Sequence, residues 1–447
     1  MPTTRFEITR RQIRSSFSHF VHNEAIGGII LLCCAVIALV CANTSALTGF
    51  TRFWTDTNAS IHLGTFSLDM SLEQWVNDGL MAVFFFVVGL EIKREMMVGE
   101  LKSFKHSALP ILAALGGMIF PALIYTIFNY GTPTSNGWGI PMATDIAFAI
   151  GILSLLGNRV PLGLKVFLTA LAIVDDLGSI VVLAIFYPSH ALHFDMLGYA
   201  LLVVAVLLVF NKMKVNRILF YIIPGIALWY FVLQSGVHAT IAGVLLALTI
   251  PSSTKINEVQ FMVSIKHLLD KFKLNSQRGI DVLANPQQQE VIHNMSTEIR
   301  HVEPLMHTFE AALHPWVTFF IMPVFALVNS GVALNFSAAD SIPPVAVGIF
   351  FGLFIGKPVG IFLFSLLSCL FKIAELPAGS NWKQLWAIGM IGGIGFTMSI
   401  FIDSLAFTDQ SAIDMGKIAI ILTSVVVSVV GLIVVSLTCR KRISNKQ

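Results

Sequence analysis

The chain has 447 residues, 55% apolar and only 12% charged, with a mean hydropathy of +0.80. An average soluble domain is roughly 25% charged, so this composition excludes a soluble fold and reads as a polytopic membrane protein. A net charge of +3 is too small for a nucleic-acid binder, and the five cysteines (Cys33, Cys34, Cys41, Cys369, Cys439) lack metal-ligand spacing and sit in or at the end of apolar runs.

Residues 1–23 form a basic arm (Arg5, Arg10, Arg11, Arg14) without a cleavable signal pattern, expected in the cytoplasm. A membrane domain over 24–438 follows, and a basic tail, 439–447. Twelve candidate spans are expected, at 24–42, 71–92, 107–129, 139–156, 162–187, 195–210, 217–234, 237–250, 312–331, 344–371, 384–404 and 414–438. Residues 44–70 are polar and turn-rich, a hairpin-like segment expected on the outer face. Residues 251–310 read as a cytoplasmic insert with an amphipathic helix (Phe261, Ile265, Leu268, Leu269, Phe272). Of the 28 Lys and Arg residues, all but Arg52, Lys357 and Lys417 fall in segments that share one side if both termini are inside. Positive charge concentrates on the cytoplasmic side, so both ends are expected there.

Asp175 and Asp176 interrupt the fifth apolar run near its middle. A charged residue at that depth costs roughly 2.5–3.5 kcal/mol on insertion scales, and a second one beside it adds repulsion. Adjacent helical residues point about 100° apart, so one structural cation would not satisfy both. The pair reads as a cation or proton site.

The fourth span carries Pro141 and then Thr144–Asp145, and the eleventh carries Gly389, Gly392, Gly393 and Gly395 before Thr397 and Ser399. Pro removes a backbone donor, and each Gly weakens a helix by about 1 kcal/mol relative to Ala. Close helix packing would also use glycines, but a break in each segment fits better. The fourth is the middle member of spans three to five, the eleventh that of spans ten to twelve. Matching interrupted segments point to inverted repeats around a midplane site. The expected fold is therefore all-α, with about 12 transmembrane helices, inverted-topology repeats and two discontinuous crossing helices. Facing helix ends inside a bilayer need compensating charge. Asp145 and Lys357 (in Gly356-Lys357-Pro358) are candidates, and Lys357 is equally placed to neutralise Asp175.

Asp78 opens the second apolar run, while Glu91, Lys93, Arg94 and Glu95 close it. Glu310 and His314 begin the ninth. Singly these are interface anchors; together they form a candidate funnel whose charge changes near neutral pH. His238 reads as a packing residue.

The motifs Trp75-Val-Asn-Asp78-Gly-Leu-Met-Ala-Val-Phe-Phe, Gly89-Leu-Glu91-Ile-Lys-Arg94-Glu95, Ala143-Thr144-Asp145-Ile-Ala-Phe, Val174-Asp175-Asp176-Leu-Gly, Gly356-Lys357-Pro358 and Gly393-Ile-Gly-Phe-Thr-Met-Ser resemble the NhaA family of bacterial sodium/proton antiporters. The resemblance runs from about Ala25 to Val435 apart from the insert, and this family is itself an inverted-repeat example. It implies that Asp176 is the principal cation ligand and that Asp175 pairs with Lys357. Thr144 and Asp145 would then belong to the crossing, and Glu91, Arg94, Glu95, Glu310 and His314 would match pH-activation positions. Residues 44–67 resemble a dimerising hairpin, implying a homodimer. Two features depart from the pattern: Ala311 follows Glu310 where the family often has His, and the insert is longer.

The leading expectation is an electrogenic antiporter of the bacterial cytoplasmic membrane, a secondary active transporter rather than an enzyme. It would exchange Na+ (and Li+) for H+ by alternating access, without a cofactor. Carboxylate oxygens suit hard cations and carry protons, so one site serves either cargo. A retinal-type pump with a Schiff base on Lys357, and a passive cation channel, are the alternatives. Twelve spans and two broken helices count against the first, and sodium-driven proton movement separates antiport from the second.

Overall fold

The computed structural model describes residues 26–439 except 45–46, 64–65, 100–103, 189–190, 253–257, 277–280, 334–341 and 378. The basic arm and residues 440–447 of the tail lie outside the described residues. In order, the elements are α1 (Ile26–Asn43), α2 (Thr48–Asp56), β1 (Asn58–Leu63), β2 (Phe66–Ser71), α3 (Leu72–Met97) and α4 (Phe104–Asn129). A 3-10 segment, Ser135–Met142, precedes α5 (Ile146–Ser154), α6 (Leu162–Phe186), α7 (Phe194–Lys212), α8 (Leu219–Gln234) and α9 (Thr240–Thr249). Then come α10 (Glu258–Leu274), α11 (Pro286–Val302), α12 (Leu305–Asn329), α13 (Pro344–Leu370), α14 (Trp382–Gly392), α15 (Phe396–Ala406) and α16 (Gln410–Thr438).

Among the described residues nine helices are long and apolar enough to cross a membrane, counting Ser135–Ser154 as one. The pair α14–α15, bent by 48°, makes a tenth span, and α8 and α9 are two shorter apolar helices. These coincide with the twelve expected segments, and the chain is a multi-pass membrane protein. The helix that carries the ninth span starts at Leu305, ahead of the expected 312, and Glu310 in its second turn is buried against a partner. Ahead of that helix, the expected insert holds the packed pair α10 and α11, the latter capped by Asn285 with Pro286 in its first turn. Residues 58–71 hold a two-stranded antiparallel hairpin, with Ala59 opposite Met70 and Ile61 opposite Leu68.

Local chemistry sets the breaks. Asn381 and Gln384 cap α14 reciprocally, so its start is firm, while its end runs into Gly393 and Gly395. α13 widens into a π turn over Gly352–Gly356, immediately before Lys357 and Pro358. A proline ring clashes with the carbonyl four residues back in a regular helix, and the wide turn relieves that clash.

Helix packing relies on absent side chains. A methyl group at Gly360 of α13 would run into the carbonyl of Gly116 on α4, and one at Gly116 would strike the carbonyl of Gly360. Spans three and ten therefore meet backbone to backbone. The second and eighth spans do the same where Gly243 faces Ala82. Such approaches are how membrane helices gain contact without a hydrophobic driving force. Spans three to five and ten to twelve each run long, broken, long, and the two broken members cross at the centre.

Candidate ion site

The crossing is built by residues from both breaks. The Asp145 amide donates to the Ile394 carbonyl at 2.8 Å, tying one unwound stretch to the other. The Asp145 carboxylate caps α5 by accepting from the Phe148 amide at 3.0 Å. Its second oxygen accepts from the Thr397 amide at 3.2 Å and from the Thr397 hydroxyl, in the first turn of α15. One buried carboxylate thus compensates the positive ends of two half-helices. Ser399 donates to the Ile140 carbonyl at 2.8 Å and completes the seam.

Asp175 and Asp176 approach this crossing from the middle of α6, and both are buried. Lys357 is fully buried, with Nζ 2.6 Å from Asp175 Oδ2, and it also donates to the Met142 carbonyl at the end of the 3-10 segment. The lysine thus takes both places that the sequence offers it, neutralising Asp175 and closing a helix C-terminus. Thr144 Oγ1 lies 2.6 Å from Asp175 Oδ2 and 2.9 Å from the Gly392 carbonyl. Its single proton serves one of these acceptors at a time.

What is left unbonded matters most. Asp175 Oδ1 and Asp176 Oδ1 are buried oxygens without a hydrogen-bond partner. Buried polar atoms are nearly always satisfied, and an unpaired buried acceptor costs about 1–3 kcal/mol. Carboxylate oxygens of this kind are the donors that a proton or a hard cation would take.

The sequence-derived entrance residues fall into two groups. Arg94 is a hub, ion-paired with Glu310 and lying 3.3 Å from Glu95 and 3.6 Å from Glu91. His314 sits one turn beyond Glu310 on α12 and is half-buried. Glu91, at the edge of this cluster, is near enough for its charge to act on Asp176. Asp78 lies apart, in a π turn of α3, where its carbonyl accepts from the Trp229 indole at 2.9 Å.

Three features escaped the sequence reading. Asn77 and Asn329 exchange side-chain amide bonds of 3.3 and 2.8 Å between α3 and α12. Thr397 bonds Asp145, although its motif gave no role to the hydroxyl. Asp403, on α15, is fully buried. An ionisable residue inside a span was the available signal, one residue before the expected end at 404, and it was given no role.

The family model described as Na+/H+ antiporter 1 matches residues 18–435. The chain is 44% identical over 428 residues to the Na+/H+ antiporter NhaA of Wolinella succinogenes, covering 96% of this chain and 94% of that protein. It is 45% identical over 437 residues to the NhaA of Oleidesulfovibrio alaskensis (97% and 96% covered). With the NhaA of Helicobacter pylori it shares 43% over 425 residues, 95% of each chain.

Proposed function

The chain belongs to the Na+/H+ antiporter 1 family, the NhaA-type exchangers, and from that premise we propose how it exchanges Na+ for H+. The two cargoes compete for Asp175–Asp176, and the bundle presents that pair to one side of the membrane and then the other. The observation that carries this reading is the pair of partnerless buried oxygens, Asp175 Oδ1 and Asp176 Oδ1, at the crossing of two broken helices.

Asp176, which shares no ion pair with Lys357, is the principal ligand, and Asp175 supplies the second carboxylate. Lys357 holds one oxygen of Asp175 and leaves the other free, so the site keeps a net negative charge when both acids are ionised. A sodium ion offsets the repulsion between the two carboxylates, and protons do the same by neutralising them. Binding of one cargo therefore displaces the other. Thr144 links this event to the crossing, because its proton is shared between Asp175 and the Gly392 carbonyl. Exchange is electrogenic, and Li+, another small hard cation, takes the same ligands.

The Arg94 hub with Glu91, Glu95 and Glu310, and His314 beyond it, is suited to regulation by pH, since protonating any acid loosens its hold on the arginine. The positive-inside pattern supports a bacterial cytoplasmic membrane with both termini on the cytoplasmic side. A second copy docks through the 44–67 region. In support, among the described residues the β1–β2 sheet has two strands, so each keeps an edge for strand addition.

Respiring everted vesicles test the exchange. Na+ or Li+ added to vesicles carrying the wild type should dissipate the pH gradient, and vesicles carrying Asp176→Asn should not respond. Sodium flux without proton movement would indicate a channel instead, and equal responses from the two proteins would remove the pair from the mechanism.

A further inference from the structure

Away from the Asp175–Asp176 pair, another buried carboxylate has no structural account. Asp403 lies on α15, six residues past Thr397, which places it about 9 Å along the helix from the crossing at 1.5 Å per residue. It is completely buried, and neither of its oxygens has a hydrogen-bond partner. Its surroundings explain the isolation. The carboxylate is pressed against the second turn of α16, where a methyl group on Gly416 would collide with it, so backbone rather than a donor side chain fills that side. Tyr125 of α4 is in reach of its charge, but the tyrosine hydroxyl donates to the Thr134 carbonyl at 2.7 Å. Ser404, the next residue, donates to the Phe401 carbonyl. The charged groups that face Asp403 are Lys417 and Asp414, both on α16; Lys417 is itself buried, yet no ion pair joins it to Asp403.

A structural role would close that ion pair, because leaving a buried carboxylate with neither donor nor counter-ion is costly. A carboxylate with an attracting cation nearby, and no fixed bond, can instead take up and release a proton without breaking the structure around it. Its helix runs from the crossing toward one membrane face, so it stands between the ion pair and that face. We propose that Asp403 is a further proton-carrying carboxylate of the exchange, loaded from the face to which α15 leads and poised by Lys417. In the loading step a proton from hydronium forms an O–H bond on one Asp403 oxygen and water is released; unloading returns that proton to the path. The proposal rests on the exchange reading above.

The test uses purified protein in liposomes, with pH varied on one side at a time during sodium-driven proton movement. Asp403→Asn keeps the shape against Gly416 and removes the titration. Its turnover should fall about tenfold or more, since positioned proton-transfer groups commonly contribute at least that. Sodium affinity measured by calorimetry should stay unchanged, and the pH dependence should flatten from one side only. Lys417→Gln should move that same one-sided profile to higher pH, because the neighbour that favours the ionised acid is gone. Wild-type turnover with unchanged profiles from both sides overturns the proposal. So does a loss of sodium affinity in proportion to turnover, which would make Asp403 part of the Asp175–Asp176 site. If Asp403→Asn does not fold, Lys417→Gln decides, and an unshifted profile overturns the proposal. Failure of the wild type to move protons against sodium would defeat the exchange reading itself.

Discussion

Replacing Lys357 with Met keeps the aliphatic stem and removes the charge, so its consequence can be worked from two contacts. The first is the ion pair with Asp175, at 2.6 Å and fully buried on both sides. Removing one member of such a pair leaves an uncompensated charge, at roughly 3–5 kcal/mol. The second is the bond to the Met142 carbonyl, whose loss strands a buried acceptor at about 1–3 kcal/mol. Lys357→Met should therefore lower stability by at least the first amount. Adding Asp175→Asn removes the stranded charge and should recover most of that loss. What remains should be about 1–3 kcal/mol, the cost of the orphaned carbonyl. Reversible unfolding in detergent, read by tryptophan fluorescence, measures the three variants against the wild type. Lowering the pH should narrow the gap for Lys357→Met, because a proton on Asp175 removes the same charge. A double variant no more stable than Lys357→Met alone would refute the pairing as the source of the cost and shift it to the helix end.

Asp176→Asn should abolish sodium-dependent proton exchange while the protein still reaches the membrane in a folded form, checked by vesicle flux and size-exclusion profile. Sodium binding should release protons into the medium, so calorimetric heats in two buffers of different ionisation enthalpy should differ; identical heats would count against competition at the pair. Gly360→Ala should destabilise by about 1–3 kcal/mol through overpacking, because its methyl group meets the Gly116 carbonyl, whereas Gly198→Ala, with open space around it, should not.

The parts of this architecture that were legible in the sequence are those where chemistry opposes its setting. Two aspartates inside an apolar run, a proline before Thr144–Asp145 and four glycines in one short span are each costly in a plain membrane helix. The proline and the glycines mark the two breaks, while the aspartates sit in an unbroken α6 and mark the site. Periodicity could not reveal partners chosen by folding. The Met142 carbonyl carries no sequence signature, so the double duty of Lys357 depends on how the 3-10 segment ends beside α13. Glu310 reads in sequence as a charge at a span end, while its buried ion pair depends on Arg94, more than two hundred residues earlier. The strands at 58–71 lie in a stretch whose turn residues were read but whose pairing register was not.

The backbone seam between Gly116 and Gly360 also bears on leakage. A device that trades one ion for another wastes the gradient if water or an unaccompanied proton slips around its binding site. Side chains along a helix interface leave gaps that open when helices tilt. Where two peptide backbones touch, no such gap exists for a water file to occupy, and no lipid chain fits between them. Beside Lys357 the two backbones close this contact through the absence of side chains, so a larger residue at either glycine should wedge the seam open and let protons pass without sodium.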